Sequence, residues 1–287
     1  MKFSTTIFFS VIISICQAQT IPVDRIFNWT NSGYQGTYPI NAVQIDFLTV
    51  GGVNDGLTDN SSALQNAIAT AVRPAVIFFQ PGDYLFSSTI NLPDSIILRG
   101  STADSTSLLF NFGGATGNCI NINGSASASF TNIVSGAERF NNYVVVADAS
   151  LYSAGNYAEI EQTNGAWDTQ PVSWADNSIG QIMHITSVNG DTLFFDEALR
   201  INYDYSLNPR IHRVDPRIEV GIECLKIERV DDSPVGVNFN VNLSYAANCW
   251  ITGVEIGTSI GSHIELDAST NISISRCYIH DNFAYDG

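Results

Sequence analysis

The sequence predicts an all-β fold in which short parallel strands stack as successive coils, with one capping helix and an antiparallel β insertion. Two observations lead to this prediction. A single helical pattern near the N-terminal end is followed by many brief apolar runs separated by turns. Near the C-terminal end, strands that begin with Ile recur at a spacing typical of stacked coils.

The first 18 residues have the pattern of a secretory signal peptide. Lys2 is their only charge, their centre is apolar, and Ala18 offers a cleavage site. The apolar run is shorter than the ~20 residues that a membrane span needs, and no later stretch is apolar enough to cross a bilayer. We therefore expect an exported soluble protein, extracellular or periplasmic, that is cleaved near Ala18 and not embedded in a membrane. Residues 19–50 are expected to be a leader lying along a larger core.

A short helix is predicted directly after the turn-rich segment Gly51–Gly56. Ser62 and Gln65 have the spacing of a capping box, in which each side chain bonds to backbone near the other residue. Ala63, Leu64, Ala67, Ile68 and Ala71 then form one apolar face. Pro74 prevents the helix from continuing. The helix is therefore expected to cap the first coils, which we assign to residues 51–140.

Short apolar runs and turns follow the helix, and their order is characteristic. The motifs are Asn54-Asp55-Gly56, Thr58-Asp59-Asn60, Pro81-Gly82-Asp83-Tyr84 and Leu98-Arg99-Gly100. This order resembles the N-terminal segment of the pectate lyase superfamily, in particular its rhamnogalacturonase- and epimerase-like proteins. The resemblance implies a right-handed parallel β-helix whose N-terminal end is covered by the helix. Asn54 and Asn60 depart from the family pattern, which weakens a metal role for this loop. In the family this segment is architectural, so the resemblance assigns it no catalytic residue.

Residues 113–136 are rich in Gly, Ser, Ala and Asn and are expected to be irregular. Residues 141–212 then alternate between apolar runs and turns, and Val188–Asp191 has the sequence of a tight hairpin. We predict an antiparallel β insertion there. Trp167 and Trp174 lie in its polar loop, where they can stack on sugar rings and bind substrate. The alternative is that they pack into the insertion's own small core.

The coils are expected to return at residues 213–287. Ile222, Ile251 and Ile274 align at offsets of 29 and 23 residues, and Asn248 and Asn271 each precede an aligned strand by three residues. Repeats of this length indicate coils that bury a continuous apolar column. Because the last coil stops without a polar cap, we expect the chain to be a fragment that lacks its C-terminal coils.

The charge of the chain narrows the possible partners. Only 14% of residues are charged and the net charge is −16, or −17 once Lys2 is removed. Nucleic acid and anionic membranes are therefore unfavourable partners, and we expect a monomer that binds polysaccharide. Arginines are nevertheless concentrated between residues 200 and 229. We predict that Arg213, Arg217 and Arg229 bind an acidic polysaccharide, with Ca²⁺ as a possible cofactor. The alternative is that they pair with neighbouring acidic residues.

A second group of polar residues suggests chemistry. His280 can act as a base near neutral pH, and Asp281 can orient it or hold a metal. Lys226 and Arg276 can neutralise the carboxylate of a uronate. Together with the family resemblance, these residues predict a secreted polysaccharide lyase that acts on a uronate-containing polysaccharide. The alternatives are a hydrolase of the polygalacturonase type and a glycan-binding adhesin without catalysis.

Overall fold

The computed structural model of the protein describes residues 30–36, 42–232 and 238–283. The predicted signal peptide and the last residues, including Tyr285 and Asp286, lie outside these ranges. Within them, no helix is both long and apolar enough to cross a membrane.

Three parallel sheets form the body of the protein. Sheet A pairs, in order, β1 (Val43–Asp46), β3 (Ala75–Phe79), β6 (Ile96–Gly100), β16 (Gly221–Glu223), β20 (Trp250–Thr252) and β23 (Ser273–Ser275). Sheet B pairs β2 (Asp55–Asp59), β4 (Gly82–Phe86), β7 (Thr106–Phe110), β17 (Lys226–Arg229), β21 (Glu255–Ile256) and β24 (Tyr278–Ile279). Sheet C pairs, in order, β5 (Ile90–Asn91), β8 (Ile120–Asn123), β18 (Val241–Ser244) and β22 (Ile264–Asp267). Two short strands, β15 (Arg217–Ile218) and β19 (Ala246–Ala247), form a separate two-stranded parallel sheet. The chain passes from sheet A to sheet B in every coil and on to sheet C in four of them, which is the arrangement of a parallel β-helix.

The predicted repeat is confirmed by the strand register. Ile222 pairs with Ile251, and Ile251 pairs with Ile274, in parallel strands of sheet A. Asn248 and Asn271 lie at the bends before two of these strands with φ of 56° and 55°. Asn tolerates this left-handed conformation better than most residues. The repeated Asn therefore marks the bend that returns the chain to sheet A.

Apolar side chains from all three sheets fill the interior. Phe86 and Phe110, which are paired in sheet B, stack with ring centroids 5.1 Å apart. The helix α1 (Ser61–Thr70) buries Leu64 and Ile68 in the same core. The predicted cap helix thus contributes to the core of the first coils.

The predicted capping box of Ser62 and Gln65 is wrong. The helix begins at Ser61. The side chain of its N-cap residue, Asn60, makes no capping hydrogen bond to the first turn of the helix. Instead, Asp59 accepts hydrogen bonds from the amide of Ser61 at 2.9 Å and from its hydroxyl at 2.6 Å. Burial tends to raise the pKa of Asp59, but the hydrogen bonds from Ser61 and Ser87 outweigh it and lower the pKa to about 2.

The antiparallel insertion is a closed, barrel-like sheet between β8 and β15. Its strands are β9 (Ser125–Ser135), β10 (Tyr143–Val146), β11 (Tyr157–Gln162), β12 (Ile179–Asn189), β13 (Thr192–Phe195) and β14 (Arg210–Asp215), paired in the order β10-β13-β12-β11-β14-β9. The prediction that residues 113–136 are irregular is wrong for β8, a strand of sheet C, and also for β9. Strand β9 is mostly Ser and Ala and buries only Ile133, so it lacks the apolar pattern of a strand, and its pairing with β10 and β14 holds it in place.

The described part of the leader lies against sheet A. The amide of Gly33 donates to the carbonyl of Asn271 at 2.7 Å, and the ring of Tyr34 lies 5.3 Å from that of Trp250. Phe47 is fully buried against Phe79, with ring centroids 4.9 Å apart.

Candidate functional site

A row of charged residues runs across the outer face of sheet B. In β17, Ile227 points into the core while Lys226 and Glu228 on either side of it face outward. In the next coil, Glu255 lies beside Lys226. His280 and Asp281 follow directly after β24. We call Lys226, Glu228, Glu255, His280 and Asp281 the charged row.

One carboxylate oxygen links the two halves of the charged row. Oε1 of Glu255 lies 3.4 Å from Nζ of Lys226 and 3.2 Å from Nε2 of His280. Lys226 also contacts Oε2 of Glu228 at 2.9 Å. Nδ1 of His280 lies 2.9 Å from Oδ2 of Asp281. The imidazole and the ammonium group are thus held in one hydrogen-bonded network on a solvent-facing surface.

Gly257 separates Glu228 from His280. Ile227, Ile256 and Ile279 pair in successive coils, so the next residues, Glu228, Gly257 and His280, share one register position. The amide of Gly257 donates to Ile227, and that of His280 donates to Ile256. A Cβ added to Gly257 would meet its nearest atom, Cε of Lys226, at 3.5 Å. The glycine therefore leaves a slot with no side chain of its own, bordered by Lys226 and Glu228, between two residues whose backbones are about 10 Å apart, twice the spacing of neighbouring strands.

The environment of the charged row favours the protonated forms of His280 and Lys226. The hydrogen bond to Asp281 is the main cause that raises the pKa of His280; burial opposes it, and the contact with Glu255 adds to the increase. For Lys226, partial burial opposes the change, but Glu228 and Glu255 raise the pKa above its ordinary value. His280 therefore remains a proton donor to a higher pH than an isolated imidazole.

The ring of Tyr278 provides a flat apolar surface beside the charged row. It stacks on the imidazole of His280 with centroids 4.2 Å apart, and it is 64% exposed. An exposed aromatic face next to acid and base groups suits a ligand that presents both CH groups and hydroxyls.

Three of the four predicted catalytic residues lie in the charged row, namely Lys226, His280 and Asp281. Arg276 does not. It lies at the bend between sheets A and B with φ of 55° and lines a separate pocket of about 220 Å³ with Tyr34 and Trp250. Its guanidinium therefore belongs to a different surface from that of His280.

The predicted role of Arg229 in substrate binding is wrong. Its side chain is 2% exposed, and its Nε lies 2.6 Å from Oδ1 of Asp231. It also donates to the carbonyls of Ala115 and Gly117 and lies 4.0 Å above the ring of Phe112. Because the whole guanidinium is used inside the protein, it is closed to a ligand.

The other two predicted arginines differ in their surroundings. Arg213 is exposed on the insertion and forms an ion pair with Asp215 at 2.6 Å. Arg217 lines a cavity of about 430 Å³ under α1, together with the amide side chains of Gln65, Asn91, Asn121 and Asn123. Its Nε donates to the carbonyl of Asn123 at 3.1 Å, and its Nη1 lies 3.6 Å from Asp94.

The two predicted tryptophans are both exposed, but only one faces a groove. Trp174 is 86% exposed and lines a groove of about 640 Å³ between the insertion and β22. Trp167 is 56% exposed and does not line this groove.

Sequence reasoning missed Glu228, Glu255, Gly257 and Tyr278. The signal that identifies them was nevertheless present. The offsets of 29 and 23 that align Ile222, Ile251 and Ile274 also align Glu228 with Gly257 and His280, and Lys226 with Glu255 and Tyr278. Across the described ranges, no group of three or more His, Cys, Asp or Glu side chains is arranged to hold a metal ion.

Comparison with known proteins finds a family that is similar to the N-terminal part of the chain. Residues 45–146 match the family described as rhamnogalacturonase A/epimerase, pectate lyase-like. No curated protein matches the chain.

Solved structures share the fold at low sequence identity. The Pseudomonas phage phi297 tailspike gp61 is 12% identical with a TM-score of 0.51, over 85% of this chain and 52% of that one. The Gp54 tailspike of Acinetobacter baumannii bacteriophage AP22 is 17% identical with a TM-score of 0.47, over 84% and 46%. The A-module of the Azotobacter vinelandii mannuronan C-5 epimerase AlgE6 is 12% identical with a TM-score of 0.40, over 84% and 44%.

The chain spans roughly half the length of each of these structures. At such identities the likeness shows the fold alone. The predicted β-helix fold and the predicted family resemblance are both confirmed: the chain has the fold of parallel β-helix proteins, and residues 45–146 match the pectate lyase-like rhamnogalacturonase A/epimerase family.

Proposed function

We propose that this protein is an exported polysaccharide-degrading enzyme that hydrolyses a glycosidic bond at the charged row. The observation that supports this most directly is the alignment of Glu228, Gly257 and His280 in three successive coils. A carboxylate and an imidazole face each other across a slot that has no side chain of its own. The family match supports a carbohydrate substrate.

The backbone spacing of Glu228 and His280 is compatible with direct hydrolysis. In inverting glycosidases, the acid and the base lie about 6.5–9.5 Å apart, because a water molecule must fit beside the sugar. Glu228 and His280 start from backbones about 10 Å apart on parallel strands. In the proposed complex, the sugar takes the place that the carboxylate of Glu255 occupies between Lys226 and His280.

Each group has a role in the proposed reaction. The glycosidic oxygen replaces Glu255 beside Nε2 of His280, and the imidazolium donates its proton to that oxygen as the bond to the anomeric carbon breaks. Glu228 removes a proton from the water molecule that attacks the anomeric carbon from the opposite side. The products are two shorter chains, one of which has a new reducing end. Lys226 is a positioning residue that orients Glu228, and Asp281, through Nδ1, orients His280.

Hydrolysis has more support than elimination, which the sequence favoured. Elimination requires positive charge to neutralise a uronate carboxylate. Arg229 is buried and Arg276 faces another surface, so Lys226 is the remaining predicted cation, and two glutamates already neutralise it. With Asp281 also present, carboxylates outnumber fixed cations in the charged row. This balance suits acid–base catalysis by carboxylate and imidazole.

The test is to incubate the full-length protein with rhamnogalacturonan, pectate and alginate, with and without Ca²⁺. We expect new reducing ends without the ultraviolet absorbance of an unsaturated uronate. Glu228→Gln and His280→Ala should each lose this activity, whereas Arg213→Ala, which changes an exposed pair on the insertion, should retain it. Ultraviolet-absorbing products would instead support the lyase, and binding without cleavage would support the adhesin.

A further inference from the structure

The groove between the insertion and the β-helix is a second concave surface, separate from the charged row. One wall comes from β11, β12 and the turn that follows Trp174, and the other comes from β22 and the bend after it. Its volume of about 640 Å³ lies within the range of about 300–1,000 Å³ that is usual for ligand sites.

Trp174 gives this groove an aromatic platform. It lies in a single helical turn, Ser173–Ala175, and leaves 86% of its surface in solvent. An indole is large, flat and apolar, and the exposed face of this one is accessible to a ligand in the groove. The indole therefore offers a face on which the CH groups of a sugar ring can pack. Leu266, which is 49% exposed on the other wall, adds a second apolar contact.

Four of the five carboxylates that line the groove fall into two groups. Glu159 and Glu161 are already paired, with His212 at 2.9 Å and with Arg210 at 2.7 Å. Glu265 and Asp176 have no hydrogen-bond or ion-pair partner among the residues that the structure describes. Their oxygens are therefore available to accept hydrogen bonds from a ligand.

Two further residues complete the charge of the groove. Asp267 accepts a hydrogen bond from the hydroxyl of Ser244 at 3.1 Å and forms no ion pair with any residue in the described ranges. Arg200, the one basic residue of the lining, is paired with Glu197 at 3.1 Å. The groove is therefore negative, which repels a sugar that carries a carboxylate or sulfate. The same carboxylates are strong acceptors for the hydroxyls of an uncharged sugar.

We infer that this groove binds an uncharged oligosaccharide, with Trp174 as the stacking platform and Glu265 and Asp176 as hydroxyl acceptors. This site is distinct from the proposed catalytic row and does not depend on it. A protein with both sites holds a neutral glycan at the insertion while the charged row acts on a polysaccharide chain.

The test is a titration of the full-length protein with uncharged hexaoses of cellulose, xylan, mannan, β-1,3-glucan and chitin, and with hexagalacturonate, followed by tryptophan fluorescence and calorimetry. At least one uncharged hexaose should bind saturably, and hexagalacturonate should not compete for the site. Trp174→Ala should weaken binding by at least about tenfold, whereas Trp167→Ala, in the same loop but outside the groove, should not.

Two further variants separate this inference from the proposed function. Glu265→Gln should weaken binding, because it removes a charged acceptor and leaves the shape of the side chain unchanged. His280→Ala should bind the hexaose as the natural protein does, even when it cleaves nothing. The inference is overturned if no uncharged hexaose binds, if Trp174→Ala binds normally, or if hexagalacturonate occupies the site in a manner that depends on Trp174.

Discussion

Glu228 and His280 occupy the same register position two coils apart, and the residue between them in this column, Gly257, has no side chain. The parallel β-helix produces this relationship directly, because residues at equal offsets in successive coils stack in columns. A column that reads carboxylate, glycine, imidazole has an acid and a base on either side of an open space.

Filling that space should abolish activity without unfolding the protein. Gly257 does not have a left-handed φ, and a Cβ there makes ordinary contacts at 3.5 and 3.7 Å. Gly257→Val should therefore change the free energy of unfolding by less than about 1 kcal/mol. It should lower kcat/KM on the cleaved polysaccharide by about 100-fold, because the sugar no longer reaches between the catalytic groups. Denaturant unfolding and reducing-end kinetics on the same preparation measure both. A variant that is fully active would show that the slot is not the site of cleavage.

The acidic partner of His280 should set the alkaline limit of activity. The hydrogen bond to Asp281 is the main cause of the raised pKa of His280. In Asp281→Asn the charge is lost, so the pKa of His280 falls and the imidazolium deprotonates at a lower pH. Because the proposed proton donor is the imidazolium, the alkaline limb of the pH–rate profile should move to lower pH. The pKa itself follows from the NMR titration of the ring protons. An alkaline limb that moves upward or stays in place would argue against His280 as the acid.

Arg229 should act on stability and not on substrate binding. Arg229→Ala leaves Asp231, which is 13% exposed, without its cation. Breaking a buried ion pair costs about 3–5 kcal/mol, which should appear as a lower midpoint of urea unfolding. The matched change Arg213→Ala removes an exposed pair and should cost less than about 1 kcal/mol. Similar effects of the two substitutions would contradict the assigned burial.

The column of isoleucines in sheet A should show graded stability. Ile251 is fully buried, whereas Ile274 in the next coil is 39% exposed. Ile251→Ala should cost about 2–5 kcal/mol of unfolding free energy, and Ile274→Ala should cost clearly less. Equilibrium unfolding of the two variants tests this order. A reversed order would mean that the coils do not stack in the assigned register.

The sequence was informative where the structure repeats and uninformative where contacts are distant. The offsets between Ile222, Ile251 and Ile274 predicted the stacking, because each coil repeats the same backbone path. By contrast, the carbonyls that enclose Arg229 come from Ala115 and Gly117, more than 110 residues away. The clustering of arginines between residues 200 and 229 therefore suggested a basic binding surface, but the side chain of Arg229 is buried and is not part of one.

Local composition also gave a wrong prediction where hydrogen bonding to neighbouring strands determined the structure. Ser125–Ser135 has few apolar residues, yet it forms a strand because β10 and β14 hydrogen-bond to its two edges. The groove at Trp174 is likewise formed by two segments about 90 residues apart in the chain, the insertion and β22. Neither feature follows from the residues next to it in sequence.

The stereochemistry of cleavage tests the proposed reaction most directly. The full-length protein is mixed with the rhamnogalacturonan or pectate that it cleaves, and the first product is followed by proton NMR before its anomers equilibrate. With Glu228 and His280 on opposite sides of the slot, the new reducing end should have the inverted anomeric configuration, and Glu228→Gln should form none of it. A retained configuration, an unsaturated uronate, or undiminished cleavage by Glu228→Gln would contradict the proposal.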